Sequence, residues 1–509
     1  MSGRKRVIII GGGIAGLTAG IYCLDNGFDV DVYEKHVLPG GQCTGWYRNG
    51  AFIDGCLHWL IGTNPSSDLY PIWRHIDILP PGLCVYPTNE LTALRVGEKT
   101  LHLYGDLDQL KEELTNAFPE DKKPIASFIK AIKAYERVRI PTKKPLDRMN
   151  LFELMRFGIP MLPMVFVYLK YSKISIGEYV ERFQNKQLRE VFLRTMREDY
   201  SVHSLLYVLQ ALARKDTGVP EGGSLEIARR VAAKFTSLGG RLHLKQEVRS
   251  VVYEKKMAKG IKLDDGVFKP CDDLIIACDI NYAVNHLLPK KAKESFFAKR
   301  MDDVKAYPAN TGFTLSFLTS KDMISFPKQY DFPCAEKELH GLVASHIPLR
   351  NHSFDQSLMH PKGKTLLTVL LPAKDAAYEG WNALTPELYL AAKTTLTNLV
   401  AEAIRDELHL SPEELEPLDC ATPCTYERYC NAYKGSYMSF IATRFNKRLM
   451  EKGTFPGIKN LALCGQWLML PGGIPIAGFS GKNAAYRISK RENGRFWDYD
   501  ESAPLKSKP

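Results

Sequence analysis

A glycine-rich turn near the amino terminus constrains the fold of this chain most. Val7 to Ile10 is a short apolar run of the kind found in buried parallel strands, and a Gly-Gly-Gly-Ile-Ala-Gly turn follows it directly. Gly11, Gly13 and Gly16 occupy the three glycine positions of GxGxxG. The first permits a tight turn, the second lets the backbone approach a pyrophosphate, and the third lets a helix pack against the strand.

The residues after this turn complete a strand–helix–strand unit. Leu17, Ile21 and Leu24 recur at helical spacing, and the amide groups of such a helix N-terminus suit phosphates. Phe28 to Tyr33 predicts the second strand, and Glu34 follows it, 18 residues after Gly16. An acid at this place accepts hydrogen bonds from ribose hydroxyls. The order of these elements within one short unit predicts a dinucleotide site.

Two further segments resemble a known family. Residues 38–43 contain Gly40-Gly41, and residues 52–58 contain Asp54-Gly55. Both resemble segments of the superfamily of phytoene desaturases, retinol saturases and amine oxidases, although the acid of the second lies one place later here. In that superfamily the Gly-Gly amides lie along FAD and an arginine often follows. Gln42 stands there instead, which favours the saturase and isomerase branch.

Two later blocks extend the resemblance over nearly the whole chain. Residues 460–481 resemble the closing motif of the family, in which a strand end meets the ribityl chain and a helix N-terminus faces the flavin. The family often has aspartate where Gln466 stands. A middle block, residues 219–279, has the order of helix and strands found in the family. There the position that matches Val248 binds adenine through its backbone.

The resemblance implies FAD as the cofactor and a Rossmann-like α/β fold of the glutathione reductase type. The implied FAD-binding domain comprises residues 1–80, 216–284 and 421–495. A discontinuous α+β substrate lobe comprises residues 81–215 and 285–420, and residues 496–509 form a polar tail. The expected cofactor contacts are Gly11, Gly13, Ile14, Ala15, Gly16, Glu34, Lys35, Gly40, Gly41, Gln42, Val248, Gly465, Gln466, Ile474 and Pro475.

The substrate lobe carries clear local patterns. Residues 311–318 and 365–371 predict apolar strands, and Thr385 followed by Pro386 predicts the start of a helix that continues to Leu408. Residues 157–169 are strongly apolar, contain two prolines and have basic residues on both sides. We expect this segment to be too short to span a membrane. It fits the wall of a lipophilic tunnel, ordinary core or an interfacial membrane anchor.

Residues for acid–base chemistry are less well defined. His58 follows the segment that runs toward the flavin in the family, so it is the candidate catalytic residue. Its alternative is a satisfied polar side chain in a turn. Glu198, Asp199 and His203 form either an acid–base set or a solvated helix face. No Ser/His/Asp spacing and no metal-binding pattern is present, so we expect no metal.

Composition limits the partners and the compartment. The formal net charge of +11 fits a basic cytosolic enzyme or one that contacts an anionic surface, and eleven scattered cysteines favour a reducing compartment. We expect a cytoplasmic protein, with peripheral membrane contact as an alternative, a lipophilic small-molecule substrate and no nucleic acid. The oligomeric state stays open.

Three functions remain on the sequence alone. The first is an FAD-dependent oxidoreductase that desaturates, saturates or isomerises carbon–carbon bonds of a polyene, retinoid or acyl substrate. The second is a lipid-binding escort protein on the same fold without catalysis. The third is a flavin amine oxidase. Intact Gly11, Gly13, Gly16 and Glu34 favour an enzyme over an escort protein.

Overall fold

The computed structural model describes residues 3–289 and 296–499. In chain order the strands are β1 (Arg6–Ile10), β2 (Asp29–Tyr33), β3 (Gly45–Arg48), β4 (Ala51–Asp54), β5 (Leu60–Ile61), β6 (Val85–Pro87), β7 (Glu90–Val96), β8 (Lys99–Tyr104), β9 (Thr217–Pro220), β10 (Arg241–His243), β11 (Val248–Glu254), β12 (Met257–Leu263), β13 (Phe268–Pro270), β14 (Asp273–Ile276), β15 (Ala309–Thr319), β16 (Gln329–Leu339), β17 (Leu342–Asn351), β18 (Thr365–Ala373), β19 (Leu415–Ala421), β20 (Ser436–Phe440) and β21 (Leu461–Leu463). The α-helices are α1 (Ile14–Asp25), α2 (Tyr70–His75), α3 (Leu107–Ala117), α4 (Lys122–Lys133), α5 (Leu151–Gly158), α6 (Leu162–Tyr171), α7 (Ile176–Val180), α8 (Lys186–Thr195), α9 (Val202–Ala213), α10 (Gly223–Ser237), α11 (Ile280–Tyr282), α12 (Phe296–Asp302), α13 (Asp375–Asn382), α14 (Pro386–Leu408), α15 (Pro423–Cys430) and α16 (Ile474–Asn493).

A five-stranded parallel sheet forms one layer of the molecule, in the order β10-β2-β1-β14-β21. Its strands come from both ends of the chain and from the middle. Residues 7–10 are almost fully buried because helices pack on one face of the sheet, while strands β11 and β12 pack against Ile8 and Ile10 on the other. Helix α1 packs against α16 and α10 on one side. The predicted Rossmann-like α/β fold is confirmed.

An eight-stranded sheet forms the second large layer. Its order is β19-β15-β18-β17-β16-β7-β8, with β20 paired to β15. Strand β15 is buried along its whole length and is flanked by antiparallel partners on both edges. Helix α14 covers this sheet, and it begins with the predicted cap, because the Thr385 side chain accepts a hydrogen bond from the Leu388 amide.

Two strand pairs join residues from different predicted domains, so the domain boundaries stay a prediction. Strand β20 lies within residues 421–495, assigned to the cofactor domain, yet it pairs with β15 of the large sheet. Strand β6, assigned to the substrate lobe, pairs with β9. Residues 90–104 and 309–421 do share one sheet, as the discontinuous α+β substrate lobe requires.

Residues 151–171 form one apolar helical segment, made of α5, a 3-10 turn (Ile159–Met161) and α6. By length and composition this segment is long enough to cross a membrane, so the expectation that it is too short was wrong. Pro160 lies in the 3-10 turn and Pro163 in the first turn of α6, where a missing amide donor costs little. Of its residues only Tyr171 is buried, which excludes the ordinary-core interpretation.

The predicted polar tail is packed where the structure describes it. Phe496 stacks on Tyr22 of α1, and the Trp497 amide donates a hydrogen bond to the Asn26 side chain. Tyr499 stacks on the His75 ring. Residues 496–499 therefore cover the α1 side of the parallel sheet instead of extending into solvent. Residues 500–509 of that prediction lie outside the described residues.

Candidate functional site

A large cavity, the central cavity, lies between the two layers and has a volume of about 1610 Å³. Single-ligand pockets are usually on the order of 300–1,000 Å³, so this space has room for a dinucleotide and a second molecule. Every predicted cofactor contact borders it except Gly16. The prediction that these residues hold the cofactor is carried forward as a proposal.

The glycine turn explains why Gly16 does not border the cavity. A Cβ atom on Gly16 would lie 2.0 Å from the carbonyl oxygen of Gly11, so this glycine serves the packing of α1 on β1. Gly13 differs, because a Cβ there would meet nothing closer than 3.7 Å. Such a Cβ would be in ordinary van der Waals contact with the Gly40–Gly41 backbone, and Gly13 itself borders the central cavity, where a pyrophosphate would approach the backbone.

Two helix N-termini face the cavity without side-chain caps. Gly13 caps α1 and Gly473 caps α16, and neither cap makes a side-chain hydrogen bond to its helix. The first turn of a helix leaves amide donors without partners, and these donors and the helix dipole bind anions. The first residues of both helices border the cavity. The arrangement fits a dinucleotide that reaches from one helix end to the other.

Glu34 and Lys35 are held by the protein itself. One Glu34 oxygen accepts a hydrogen bond from the Gly12 amide at 2.8 Å, and the other accepts one from the His36 amide at 2.8 Å. The carboxylate therefore fixes the glycine turn and retains lone pairs toward the cavity. The Lys35 ammonium donates to the Asn431 side chain at 2.6 Å.

Gln42 and Gln466 are direct partners. Nε2 of Gln466 donates to Oε1 of Gln42 at 2.7 Å, and Gln42 donates to the Ser436 carbonyl. Oε1 of Gln466 accepts from the Gly473 amide at 3.2 Å, so one amide joins the Gly-Gly segment to the cap of α16. The two positions that depart from the family pattern thus form a single neutral pair.

The far side of the dinucleotide region is formed by β11 and by the end of β14. Val248 is buried and borders the cavity. Asp279, which sequence reasoning did not select, lies nearby on the cavity border and accepts hydrogen bonds from the amides of Asn281, Tyr282 and Tyr433. Burial, offset in part by these bonds, raises the pKa of Asp279 to about 6.

His58 borders the part of the cavity beyond the dinucleotide site. Burial, and then the charge of Arg350, lower its pKa to about 3, so the imidazole is neutral at neutral pH. Arg350 also borders the cavity, and its guanidinium donates to the carbonyl of Leu57, next to His58. Sequence reasoning missed Arg350 because it lies at the end of a strand, 293 positions away from Leu57.

The structure does not bring Glu198, Asp199 and His203 together as one acid–base set. Glu198 pairs with Lys374 at 2.7 Å, and Asp199 pairs with Arg197 at 2.7 Å. The His203 ring borders the cavity, and burial lowers its pKa to about 4. Its Nε2, the Ser204 hydroxyl and the Tyr135 hydroxyl have no hydrogen-bond partner among the described residues.

The 151–171 segment has two apolar faces with different surroundings. One face borders the cavity and contacts α9, and its members are Phe157, Met161, Met164 and Tyr168. The other face is exposed to solvent, and its members are Leu151, Phe152, Leu154, Met155, Ile159, Leu162, Phe166 and Leu169. Phe152 is 73% exposed and Phe166 is 69% exposed, which is unusual for side chains of this kind.

Comparisons with known proteins agree with these features. The family model described as flavin containing amine oxidoreductase matches residues 14–489. The chain is 25% identical to a 4,4'-diapophytoene desaturase of Methylomonas sp over 99% of both chains. It is 24% identical to the human all-trans-retinol 13,14-reductase, covering 84% of this chain and 76% of that one. It is 22% identical to the chloroplastic prolycopene isomerase of Arabidopsis thaliana, covering 95% and 82%.

Solved structures share the fold. An oxidoreductase from Methanosarcina mazei is similar with a TM-score of 0.58 and 16% identity, covering 95% of this chain and all of that one. A putrescine oxidase variant is similar with a TM-score of 0.60 and 14% identity, covering 96% and 99%. At such identities the likeness concerns the fold alone.

Proposed function

The chain belongs to the flavin-containing amine oxidoreductase family, and we propose that it acts on carbon–carbon bonds of a lipophilic polyene, retinoid or acyl substrate. It is an FAD-dependent oxidoreductase. The finer reaction, whether desaturation, saturation or isomerisation, is part of the proposal, and the relatives in sequence include proteins named for each of the three.

The observation that carries the proposal is the continuity of the central cavity. It begins at the glycine turn, passes the N-terminus of α16 and continues beneath the 151–171 segment. Its second part is bordered by apolar side chains such as Phe157, Met161 and Met164. A site of this shape favours a long apolar molecule over a small polar one.

The chemistry requires hydride and proton transfer. Bound FAD supplies a hydride acceptor or donor at its N5 atom. His58 is neutral at neutral pH because of its low pKa, so it can accept a proton or donate a neutral N–H hydrogen bond but cannot act as a standing imidazolium acid. His203 lies on the border of the same cavity with a lowered pKa and offers a second candidate for proton transfer.

We also propose peripheral membrane contact through the exposed face of the 151–171 segment. A lipophilic substrate must leave a bilayer to reach the cavity, and the opposite face of this segment borders the cavity. Arg156, Lys170 and Lys173 are exposed beside it and suit anionic headgroups.

Vesicle co-sedimentation tests the membrane contact. Replacement of Phe166 and Leu169 by serine removes two exposed apolar side chains and is expected to weaken binding to anionic vesicles at least about tenfold. Ile324→Ser is the matched control, because Ile324 is 74% exposed and lies outside this segment. Unchanged binding of the double variant would contradict the contact.

The function is tested by anaerobic mixing of holoprotein with candidate substrates. A polyene lipid is expected to change the redox state of the flavin or to emerge isomerised, whereas amines are expected to leave the flavin unchanged. An escort protein would bind the lipid without either change, and an amine oxidase would be reduced by the amine alone.

A further inference from the structure

Arg350 is a buried cation without an ion-pair partner among residues 3–289 and 296–499. It lies near the end of β17, only 4% of its surface is exposed, and it borders the central cavity. Its one hydrogen bond within the described residues runs from Nη1 to the Leu57 carbonyl. In that part of the chain its Nε has no partner, and no carboxylate oxygen lies within 4.0 Å of its nitrogens. A buried charge without a counter-ion is strongly unfavourable.

Two other arginines with buried side chains are neutralised by carboxylates within the described residues. Arg194 pairs with Asp331 at 2.5 Å, and Arg300 pairs with Glu451 at 2.6 Å. Both pairs join distant parts of the chain and have the character of structural ion pairs. Arg350 departs from this pattern, so its counter-charge is expected to come from outside the protein.

The nearest carboxylates serve other donors. Asp54 accepts hydrogen bonds from the Ser224 hydroxyl and from the Cys56 amide. Asp355 accepts from the Gly222 amide and from Ser357. Both carboxylates oppose the lowering of the Arg350 pKa that burial causes, but they do not bind the guanidinium.

The surroundings of Arg350 suit an anion. The Lys328 ammonium lies nearby, 4.7 Å from the centre of the Phe354 ring, and burial and then Arg350 lower its pKa. His58 and the Thr368 hydroxyl border the same part of the cavity and are uncharged hydrogen-bonding groups. One buried positive charge, that of Arg350, and two neutral hydrogen-bonding groups therefore lie on the border of the cavity, while Lys328 lies outside its lining.

This end of the cavity lies close to the Gly-Gly segment. The Leu57 amide donates to the Ser224 hydroxyl at 2.9 Å, and the Cys43 thiol donates to the Ser224 carbonyl at 3.3 Å. Ser224 therefore links Leu57, whose carbonyl binds Arg350, to Cys43, which follows Gln42. Met161 and Met164 of the 151–171 segment border the same cavity and offer apolar contacts to a chain.

We propose that Arg350 binds the carboxylate of the substrate, with His58 as a neutral hydrogen-bond donor beside it, so that the substrate is a long-chain or polyene carboxylic acid. This inference rests on the proposed function and narrows its substrate class. A hydrocarbon carotenoid would leave the guanidinium without a counter-ion, whereas a carboxylate satisfies both the charge and the hydrogen bonds.

The test compares an acid with its ester on the holoprotein at neutral pH. Retinoic acid and methyl retinoate have the same polyene chain, and binding of each is followed by the perturbation of the flavin absorbance. The acid is expected to bind the wild type about tenfold or more tightly than the ester, as a charge-assisted hydrogen bond implies. Arg350→Met is expected to abolish this preference, and Arg350→Lys to retain part of it.

Lys393→Met is the matched control, because Lys393 also borders the cavity. This substitution is expected to leave the preference for the acid over the ester intact. Equal binding of acid and ester to the wild type would overturn the proposal even if Arg350→Met does not fold. A loss of FAD affinity in Arg350→Met, without a change in the preference for the acid, would assign the guanidinium to the cofactor and also overturn it. If the flavin reacts with a hydrocarbon polyene but not with the polyene acid, the proposal that the substrate carries a carboxylate is refuted, while the proposed function stands.

Discussion

Exchange of the Gln42–Gln466 pair for a charged pair is expected to show strong coupling between the two positions. In the structure Gln466 donates to Gln42 at 2.7 Å, and both side chains are half-buried. Arginine has only donors, so Gln42→Arg leaves the Gln466 amide without its acceptor and is expected to lower the free energy of unfolding by about 1–3 kcal/mol. Glutamate has only acceptors when ionised, so Gln466→Glu leaves the Gln42 oxygen without its donor at a similar cost.

The double variant restores a donor–acceptor match. The arginine can donate to the new carboxylate and to the Ser436 carbonyl, and the carboxylate can still accept from the Gly473 amide. We therefore expect the double variant to be more stable than the sum of the single changes by about 1–3 kcal/mol. Denaturant unfolding of the holoprotein at a fixed FAD concentration measures all four states of this cycle. Additivity within about 0.5 kcal/mol would refute the assigned contact.

Two further predictions follow from the cavity and its border. Gly13→Ala is expected to cost the apoprotein about 1 kcal/mol at the helix cap but to weaken FAD binding at least about tenfold, because the new methyl group stands where the pyrophosphate approaches. Gly16→Ala is expected instead to lower the free energy of unfolding of the apoprotein by about 1–3 kcal/mol, since its Cβ would lie 2.0 Å from a backbone oxygen. Equal FAD binding by Gly13→Ala and wild type would contradict the assignment of Gly13 to the cofactor site. The pKa of His58 is lower in the folded state, about 3, than the value of about 6.5 in an unfolded chain, so its contribution to stability is complete above pH 6.5 and is lost as the pH falls toward 3. Between pH 6.5 and pH 4.5 the free energy of unfolding of the His58→Gln variant should therefore fall by up to about 2 kcal/mol less than that of the wild type, as measured by denaturant titrations. An identical fall in both proteins would show that His58 does not titrate in this way.

The features that sequence reasoning predicted depend on neighbouring residues. The glycine turn, its helix and Glu34 lie within one short unit, and the structure has each element in its predicted place. Helix α14 begins and ends at the predicted residues because Thr385 and Pro386 form a local start signal. Such signals act over one or two turns and need no knowledge of the rest of the fold.

The features that sequence reasoning missed depend on contacts between distant residues. Gln42 and Gln466 are 424 positions apart, and the sequence predicts each as a cofactor contact but not as the partner of the other. Arg350 became a candidate only when the structure placed it beside Leu57 without a carboxylate partner. The sequence pattern predicts an apolar run over residues 157–169 only, which is too short to span a membrane, whereas the helical segment begins at Leu151 and ends at Tyr171. A local signal for its start was present, since Asn150 and Glu153 form a capping box.

The response of the flavin to a polyene lipid under anaerobic conditions distinguishes an enzyme that acts on carbon–carbon bonds from an amine oxidase. Oxidised and chemically reduced holoprotein are each mixed with the lipid, the visible flavin band is recorded, and the recovered lipid is analysed for new double bonds, lost double bonds or changed geometry. We expect a change of flavin redox state in one direction, or isomerised lipid without such a change. Unchanged flavin and unchanged lipid in both mixtures, together with reduction of the flavin by an amine, would contradict it.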